Sequence, residues 1–289
     1  MANLKEIRIR ITSVNSTKQI TSAMKMVSAS KLKRAQRAIE QMRPYSEKLS
    51  KIIQNVSSNA GETESAYSKE SESKRILIVP ISSNRGLCGA FNANVLKKTQ
   101  HIINSNKNAD ISVFPIGKKA NDGLKGKYKN NLESFPEHPH GVFDELSFDN
   151  VSAIAEVIMK AYQEDTFDKV ILVYNSFKNA AVQIVKEEQF LPIELNEESA
   201  AANTDYIFEP NEAEILEDLI PNSLKVQLYK SLLDSFAAEH GARMTAMHKA
   251  TDNAEDLLKS LKLTYNKLRQ ASITNEILEI VSGAEALAG

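Results

Sequence analysis

The stretch Arg85-Gly86-Leu87-Cys88-Gly89-Ala90-Phe91-Asn92 has the residue types that could do chemistry. It follows a short β-branched run and precedes a helical one, the place where an open α/β sheet binds phosphates. Its glycines are spaced G-x-x-G, which fits neither the dinucleotide fingerprint nor the phosphate loop with its lysine. A tight turn closing a strand onto a helix accounts for both glycines. Cys88 near a helix N-terminus would be activated if a base stood beside it, but no histidine lies near it in sequence, so a packed small side chain is expected. His138 and His140, in PEHPHG, lack cysteine or carboxylate partners at helical spacing and make a poor metal set. No nucleophile elbow, H-E-x-x-H or defined carboxylate pair occurs. The expectation is a chain with no catalytic, cofactor-binding or metal-binding residues of its own.

The elements around this turn are unusual. Residues 1–43 contain no Gly and no Pro, and residues 242–282 are again free of both. A walk of alternating three and four residues from Leu4 meets Ile7, Ile11, Val14, Lys18, Thr21, Lys25, Ser28, Leu32, Ala35, Ile39, Met42, Ser46, Leu49, Ile53 and Val56, 11 of 16 apolar. The same walk from Val226 meets Tyr229, Leu233, Phe236, Met247, Ala250, Ala254, Leu257, Leu261, Leu268, Ala271 and Leu278, 12 of 16 apolar. A repeat of this period makes helices wind round one another. Helices of roughly 55 and 75 residues would be ~80 and ~110 Å long, against a radius of gyration of about 19 Å for a compact chain of this length. The two ends are therefore expected to project as a rod.

Charge supports pairing within the chain. Residues 1–57 carry 12 Lys/Arg against 3 Asp/Glu, whereas residues 209–289 carry 8 against 13. A basic helix beside an acidic one favours an antiparallel pair. A nucleic-acid arm is the competing reading, but Tyr45 is the one aromatic in the basic segment, so bases would find nothing to stack on. No run approaches the ~18 apolar residues of a membrane span. The opening MANLKEIRIRI, charged from Lys5, does not read as a signal peptide. The single cysteine fits a reducing compartment.

The chain is expected to divide into a coiled-coil helix at 1–57, a polar linker at 58–74, an α/β domain at 75–205 and a second coiled-coil helix at 206–289. Pro44 should kink the first helix rather than end it, since the apolar spacing resumes at Leu49. Within the domain, 76–82 and 110–117 read as strands, 168–177 and 181–193 as a hairpin, and 92–106 and 149–164 as helices. The fold class is an α/β domain, with a mainly parallel sheet and an antiparallel edge, inserted between two long terminal helices that form an antiparallel coiled coil.

Two departures mark the heptads. Lys18, Thr21, Lys25 and Ser28 stand where apolar residues are expected, while Ile20, Ala23, Met24 and Val27 take a neighbouring frame. This reads either as a stutter or as a face shared with a partner, with Lys18, Lys25 and Lys31 turned outward. Near the other end, Arg269, Gln270, Ser272, Thr274 and Asn275 form a polar band before the almost uncharged ILEIVSGAEALAG, a partner surface rather than a solvated tip.

Four segments in order resemble the gamma subunit of the F-type ATP synthase: KEIRIRITSVNSTKQITSAMKMVSASKLKRAQ, SSNRGLCGAFN, GARMTAMHKATDNA and LRQASITNEILEIVSGAEAL. The resemblance covers essentially the whole chain. It implies a bacterial-type central stalk that couples proton flow through the membrane c ring to conformational cycling of the catalytic beta subunits. It also implies alpha, beta and epsilon subunits and the c ring as partners, no nucleic acid and no cofactor. The place implied is peripheral, on the cytoplasmic face of the bacterial cell membrane. Carried over residue by residue, Lys18, Met24, Lys25, Arg269, Gln270 and Thr274 would meet the catalytic head, and Tyr206, Phe208 and Glu209 the c ring. Ser22 and Lys25 depart from the family's usual Lys and Glu in the T-x-A-M-x-M motif, and the chloroplast form's regulatory cysteine pair is missing. A nucleotide-binding α/β enzyme and a structural coiled-coil homodimer are the alternatives.

Overall fold

Alternation along residues 75–81 decides how the centre of the chain is layered. In a computed structural model, which describes residues 4–59, 67, 74–125, 139–193 and 212–288, Leu77, Val79 and Ile81 enter one apolar cluster and Ile76 and Ile78 another. Successive side chains of a strand point to opposite faces, so this strand, β1 (Arg75–Pro80), is covered on both sides. β2 (Asp110–Val113) and β3 (Lys169–Phe177) flank it in parallel, and β4 (Gln183–Leu191) returns antiparallel to β3, giving the order β2-β1-β3-β4. The sheet is the mainly parallel one with an antiparallel edge that the spacing implied.

The long helices are α1 (Leu4–Asn59), which runs on through Pro44, and α5 (Glu212–Ala288), which runs through Pro221. Between them lie α2 (Phe91–Ser105), α3 (Lys118–Leu124) and α4 (Phe148–Gln163). Ser147 caps α4, its hydroxyl accepting the Asn150 N–H, as an N-terminal serine should. One face of the sheet packs against α4 (Val151, Ile154, Ile158) and the start of α5 (Ile220, Leu224, Leu228, Leu232). The other packs against α2 through Val95 and Ile102. Asp168 staples the sheet's lower end: its Oδ2 accepts the backbone N–H groups of Lys74 (3.1 Å) and Arg75 (2.8 Å), and its Oδ1 pairs with the Arg75 guanidinium (2.6 Å). That hydrogen bonding holds the carboxyl below its usual range.

Two elements escaped the sequence reading: α3, and a single 3-10 turn at Pro139–Phe143. Both are short. α3 has the composition KKANDGL, and Gly123 stands inside it because a Cβ there would meet the Leu96 side chain at 2.8 Å. No described helix is long and apolar enough to cross a membrane.

The chain divides into two compact units, residues 1–28 with 244–289, and residues 29–243. The larger holds the sheet, its helices and the adjoining parts of α1 and α5, where Leu49 packs on Val226. In the smaller, α1 and α5 pair antiparallel. Arg8 Nη2 donates to the Tyr265 hydroxyl (2.8 Å), and ten residues further on Lys18 Nζ meets Glu255 Oε2 (3.1 Å), ten residues back. Thr21 and Thr251 hydroxyls then meet at 2.8 Å, and Lys25 Nζ stands 3.5 Å from His248 Nδ1.

Candidate partner-binding surfaces of the coiled coil

The seam of the coil is regular and locally polar. Every position of the 3-4 walk from Leu4 to Leu49 is buried or half-buried, including Lys18, Thr21, Lys25 and Ser28. The stutter is thus absent. Thr21 and Ser28 are 9% and 2% exposed, whereas Ile20 and Val27 are 60% and 58% exposed. The polar groups are satisfied where they stand: besides the Thr21–Thr251 pair, Ser28 Oγ donates to the Met24 carbonyl (2.8 Å) and Thr251 Oγ1 to that of Met247 (2.8 Å). Apolar residues that the sequence reading turned inward are therefore presented outward. Ile9, Ile20 and Val27, separated by eleven and seven residues, fall on one side of α1, with Met26 exposed beside them. A polar seam residue costs stability and fixes register; here it also frees a neighbouring stripe for another surface.

On α5 the phase differs from the predicted walk. Leu258 is 7% exposed and Leu257 44%, so the seam runs Ala254, Leu258, Leu261, Tyr265, Leu268, Ser272. Beyond Ser272 every residue with a described side chain is exposed, including Ile273, Ile277, Leu278, Ile280, Val281 and Leu287. A lone helix carrying that much open apolar surface is built to be covered.

The candidate contact residues fall at two levels. Lys18 is not free: it pairs with Glu255, both partly exposed. Met24 and Lys25 are half-buried, and Lys25 stands beside His248, which itself faces Asp252 (3.3 Å). Arg269 and Gln270 are exposed, and the Thr274 hydroxyl donates to the Gln270 carbonyl (2.9 Å). Arg269 stands 14 residues beyond Glu255, about 20 Å along the helix, so the structure does not bring the two sets together as one band. Tyr206, Phe208 and Glu209 lie outside the described residues, as does His138.

The G-x-x-G turn closes on itself. Leu87 and Gly89 take positive φ (64° and 60°), the conformation glycine tolerates and leucine resists. Ser83 Oγ donates to the Arg85 carbonyl (2.6 Å), and Asn92 holds the Ser83 N–H through Oδ1 (3.0 Å) and the Cys88 sulfur through Nδ2 (3.2 Å). The carbonyls of Arg85 and Gly86 accept from Arg243 Nη2 of α5 (3.0 and 3.3 Å). A phosphate needs free N–H donors, whereas this turn aims carbonyls at an arginine. Burial pushes the Cys88 thiol up, the reverse of an activated nucleophile. Arg243 is in turn held by Glu239 Oε1 (2.5 Å) and faces His240 Nδ1 (3.4 Å), all three residues buried. Burial raises the Glu239 carboxyl against the pull of Arg243, Lys31 and Arg85, and drives His240 down to about 3. Sequence reasoning missed this cluster. Its signal was present, because His240 and Arg243 are two of the four positions that the walk along α5 left polar, Thr264 and Asn275 being the others.

A helical pair that closes its own seam, yet turns isoleucines and a bare helical tip outward, is a shape to set against known proteins. The family described as ATP synthase matches residues 3–287. The chain is 59% identical to the ATP synthase gamma chain of Christiangramia forsetii and 44% identical to that of Bacteroides fragilis; each alignment covers at least 99% of both chains. It belongs to the ATP synthase gamma chain family. Among solved structures, a chain in the central stalk and c-ring structure of the Tetrahymena thermophila mitochondrial ATP synthase is 28% identical, with a TM-score of 0.59 over 80% of this chain and 99% of that one. A chain of the Euglena gracilis mitochondrial ATP synthase has the same fold, with a TM-score of 0.65 at 21% identity over 98% and 94%. Neither alternative reading is favoured, since the seam is filled from within the chain and the glycine turn is closed.

Proposed function

We infer that this chain is the central stalk of an F-type ATP synthase, the shaft that couples proton flow through the membrane ring to the conformational cycle of the catalytic beta subunits. The observation that carries the reading is the combination in the smaller unit of an intrachain antiparallel seam with an outward stripe (Ile9, Ile20, Val27) and an overhanging tip. A shaft must hold its own two strands together while offering all its outer faces to a surrounding sleeve. The polar seam does the first without consuming the apolar residues needed for the second.

The tasks divide along the helix. Arg269 and Gln270 offer donors and acceptors that the chain itself leaves exposed, and arginine's charge-assisted bonds make such contacts strong and directional. They are the grip on the catalytic head. Residues 277–288 hold Glu279 and Glu285 as their sole charges, so that end can turn against an apolar collar without breaking ion pairs; it is the bearing. Lys18, Met24 and Lys25 form a lower contact level, with Lys18 exchanging Glu255 for a partner carboxylate as the shaft turns. Tyr206, Phe208 and Glu209 form the foot on the c ring. Alpha, beta and epsilon subunits complete the set. The chain works at the cytoplasmic face of a bacterial membrane, peripheral through the ring, and carries no catalytic group, cofactor or nucleic-acid site of its own; the self-closed glycine turn supports that assignment.

The test is assembly and rotation. A tagged full-length chain should co-purify with alpha, beta and epsilon subunits, and a bead fixed to it should turn in steps when the complex hydrolyses ATP. Complexes that hydrolyse ATP with the bead stationary would refute the shaft.

A further inference from the structure

A cavity of about 230 Å³ opens in the larger unit where α1, the β3–β4 hairpin and α5 meet. Its wall is apolar on one side, formed by Ile39, Met42, Phe177 and Leu233. Its rim carries Arg43, Lys186 and Lys230, one cation from each of the three elements. Among the described residues one carboxylate faces them, Asp234, whose Oδ2 accepts from the Ser176 hydroxyl (3.0 Å). Burial raises that carboxyl although all three cations pull the other way. Among the described residues, none of the three cations stands in an ion pair, while Lys98, Lys160 and Lys225 elsewhere in the domain each find a glutamate.

Three cations and one ionised carboxylate leave two positive charges unbalanced at a partly enclosed site. A phosphate monoester carries about −1.5 to −2 at neutral pH, which matches that surplus. The Arg43 fork suits two phosphate oxygens at once, with the lysines acting as point charges. The volume falls below the ~300–1,000 Å³ of pockets that hold drug-sized ligands, so the body beyond the phosphate is no larger than a single ring.

We propose that this cavity is a binding site for a small organic phosphate monoester, its phosphate among Arg43, Lys186 and Lys230 and its apolar body against Ile39, Met42, Phe177 and Leu233. Inorganic phosphate would satisfy the rim alone and leave the apolar wall wet. The Asp234 carboxylate accepts from a hydroxyl of the ligand or, protonated, gains a hydrogen bond to the phosphate. Bound ligand ties α1 to the sheet and to α5, so occupancy stiffens the root of the paired helices. None of the cavity's residues belongs to the stalk contacts named above.

The experiment titrates the full-length chain with phenyl phosphate and, separately, with inorganic phosphate, in chloride buffer at constant ionic strength. Heat of binding and the methyl resonance of Met42 are followed together. The expected result is saturable one-to-one binding of phenyl phosphate with Kd below about 1 mM, and binding of inorganic phosphate about tenfold weaker or more, for want of the buried ring. The double substitution Arg43→Gln with Lys230→Gln should weaken phenyl phosphate by about tenfold or more, while Lys97→Gln on the exposed side of α2 leaves it unchanged. The substituted side chains are exposed, and an unchanged melting temperature without ligand verifies folding. The site is refuted if phenyl phosphate shows no saturation up to ~10 mM, if the two phosphates bind equally, or if the double variant binds as well as the parent.

Discussion

Replacing Arg243 by alanine removes the one side chain that answers a buried carboxylate and two turn carbonyls together. Glu239 and Arg243 are 7% and 6% exposed, and breaking a pair this deep by taking one partner away costs about 3–5 kcal/mol, most of it the isolated charge left behind. The Gly86 carbonyl loses its donor as well, a further ~1–3 kcal/mol if water does not replace it, while the Arg85 carbonyl keeps the Ser83 hydroxyl. The glutamate has an escape, which is to take up a proton. Its folded-state carboxyl already lies above the usual range, and without Arg243 it rises further. A group whose folded pKa is raised contributes most below its unfolded value, about 4.3 for Glu, and loses that contribution as pH rises through the folded one. The Arg243→Ala deficit should therefore be smaller at pH 5 than at pH 8. Urea unfolding of the full-length chain at the two pH values measures it, and adding Glu239→Gln should recover part of the loss at pH 8 and little at pH 5. A pH-independent deficit, or a double variant no better than Arg243→Ala at pH 8, would refute the claim that the uncompensated charge dominates.

Three other outcomes are expected. Leu258→Ala should destabilise the coil by about 2 kcal/mol or more, and Leu257→Ala by at most about 0.5 kcal/mol, as read by thermal melting; the reverse order would restore the phase predicted from spacing. The Asp168 carboxyl has a lowered folded pKa, so its contribution is present above the ordinary Asp value of about 3.9 and lost as pH falls through the lowered one; Asp168→Asn should flatten the acid limb of the stability curve, measured by denaturation between pH 2 and 6. Leucine at both Arg269 and Gln270 should reduce ATP synthesis and coupled hydrolysis by about tenfold or more while the complex still assembles, whereas removing residues 286–289 should do much less; turnover assays on purified complexes decide.

The sheet was legible because period-two alternation and β-branched runs leave few other arrangements, and the α1 seam because its spacing stays strict for more than forty residues. Positions 18–28 left two readings open, a stutter or a face shared with a partner, and the stutter falls because an apolar side chain need not point inward. Thr21 and Ser28 instead find hydrogen-bond partners in the seam, which removes the penalty for burying them and lets Ile20 and Val27 face out. On α5 the error was one of phase: leucines at both 257 and 258 fit an apolar walk equally well, and only the opposite helix chooses between them. Two helices read separately also carry no common height, so the separation of Lys25 from Arg269 along the coil was not legible. The i, i+4 spacing of Glu239 and Arg243 stood in the sequence, but what Arg243 serves did not, since its further partners are backbone carbonyls of a turn more than 150 residues away.

The antiparallel seam also sets the order in which the chain can be finished. Arg8 meets a partner 257 residues later in the sequence, so the first helix to leave the ribosome is the last to be matched. At ~5–20 residues per second that is a wait on the order of 10–50 s, spent by a helix whose apolar seam has nothing to close on. A free helix in water is marginal, and contacts this distant in sequence form slowly because the loop entropy must be met first. The domain encoded between the two helices shortens that search, because once it has folded it holds Leu49 of α1 on Val226 of α5 and so closes most of the loop in advance.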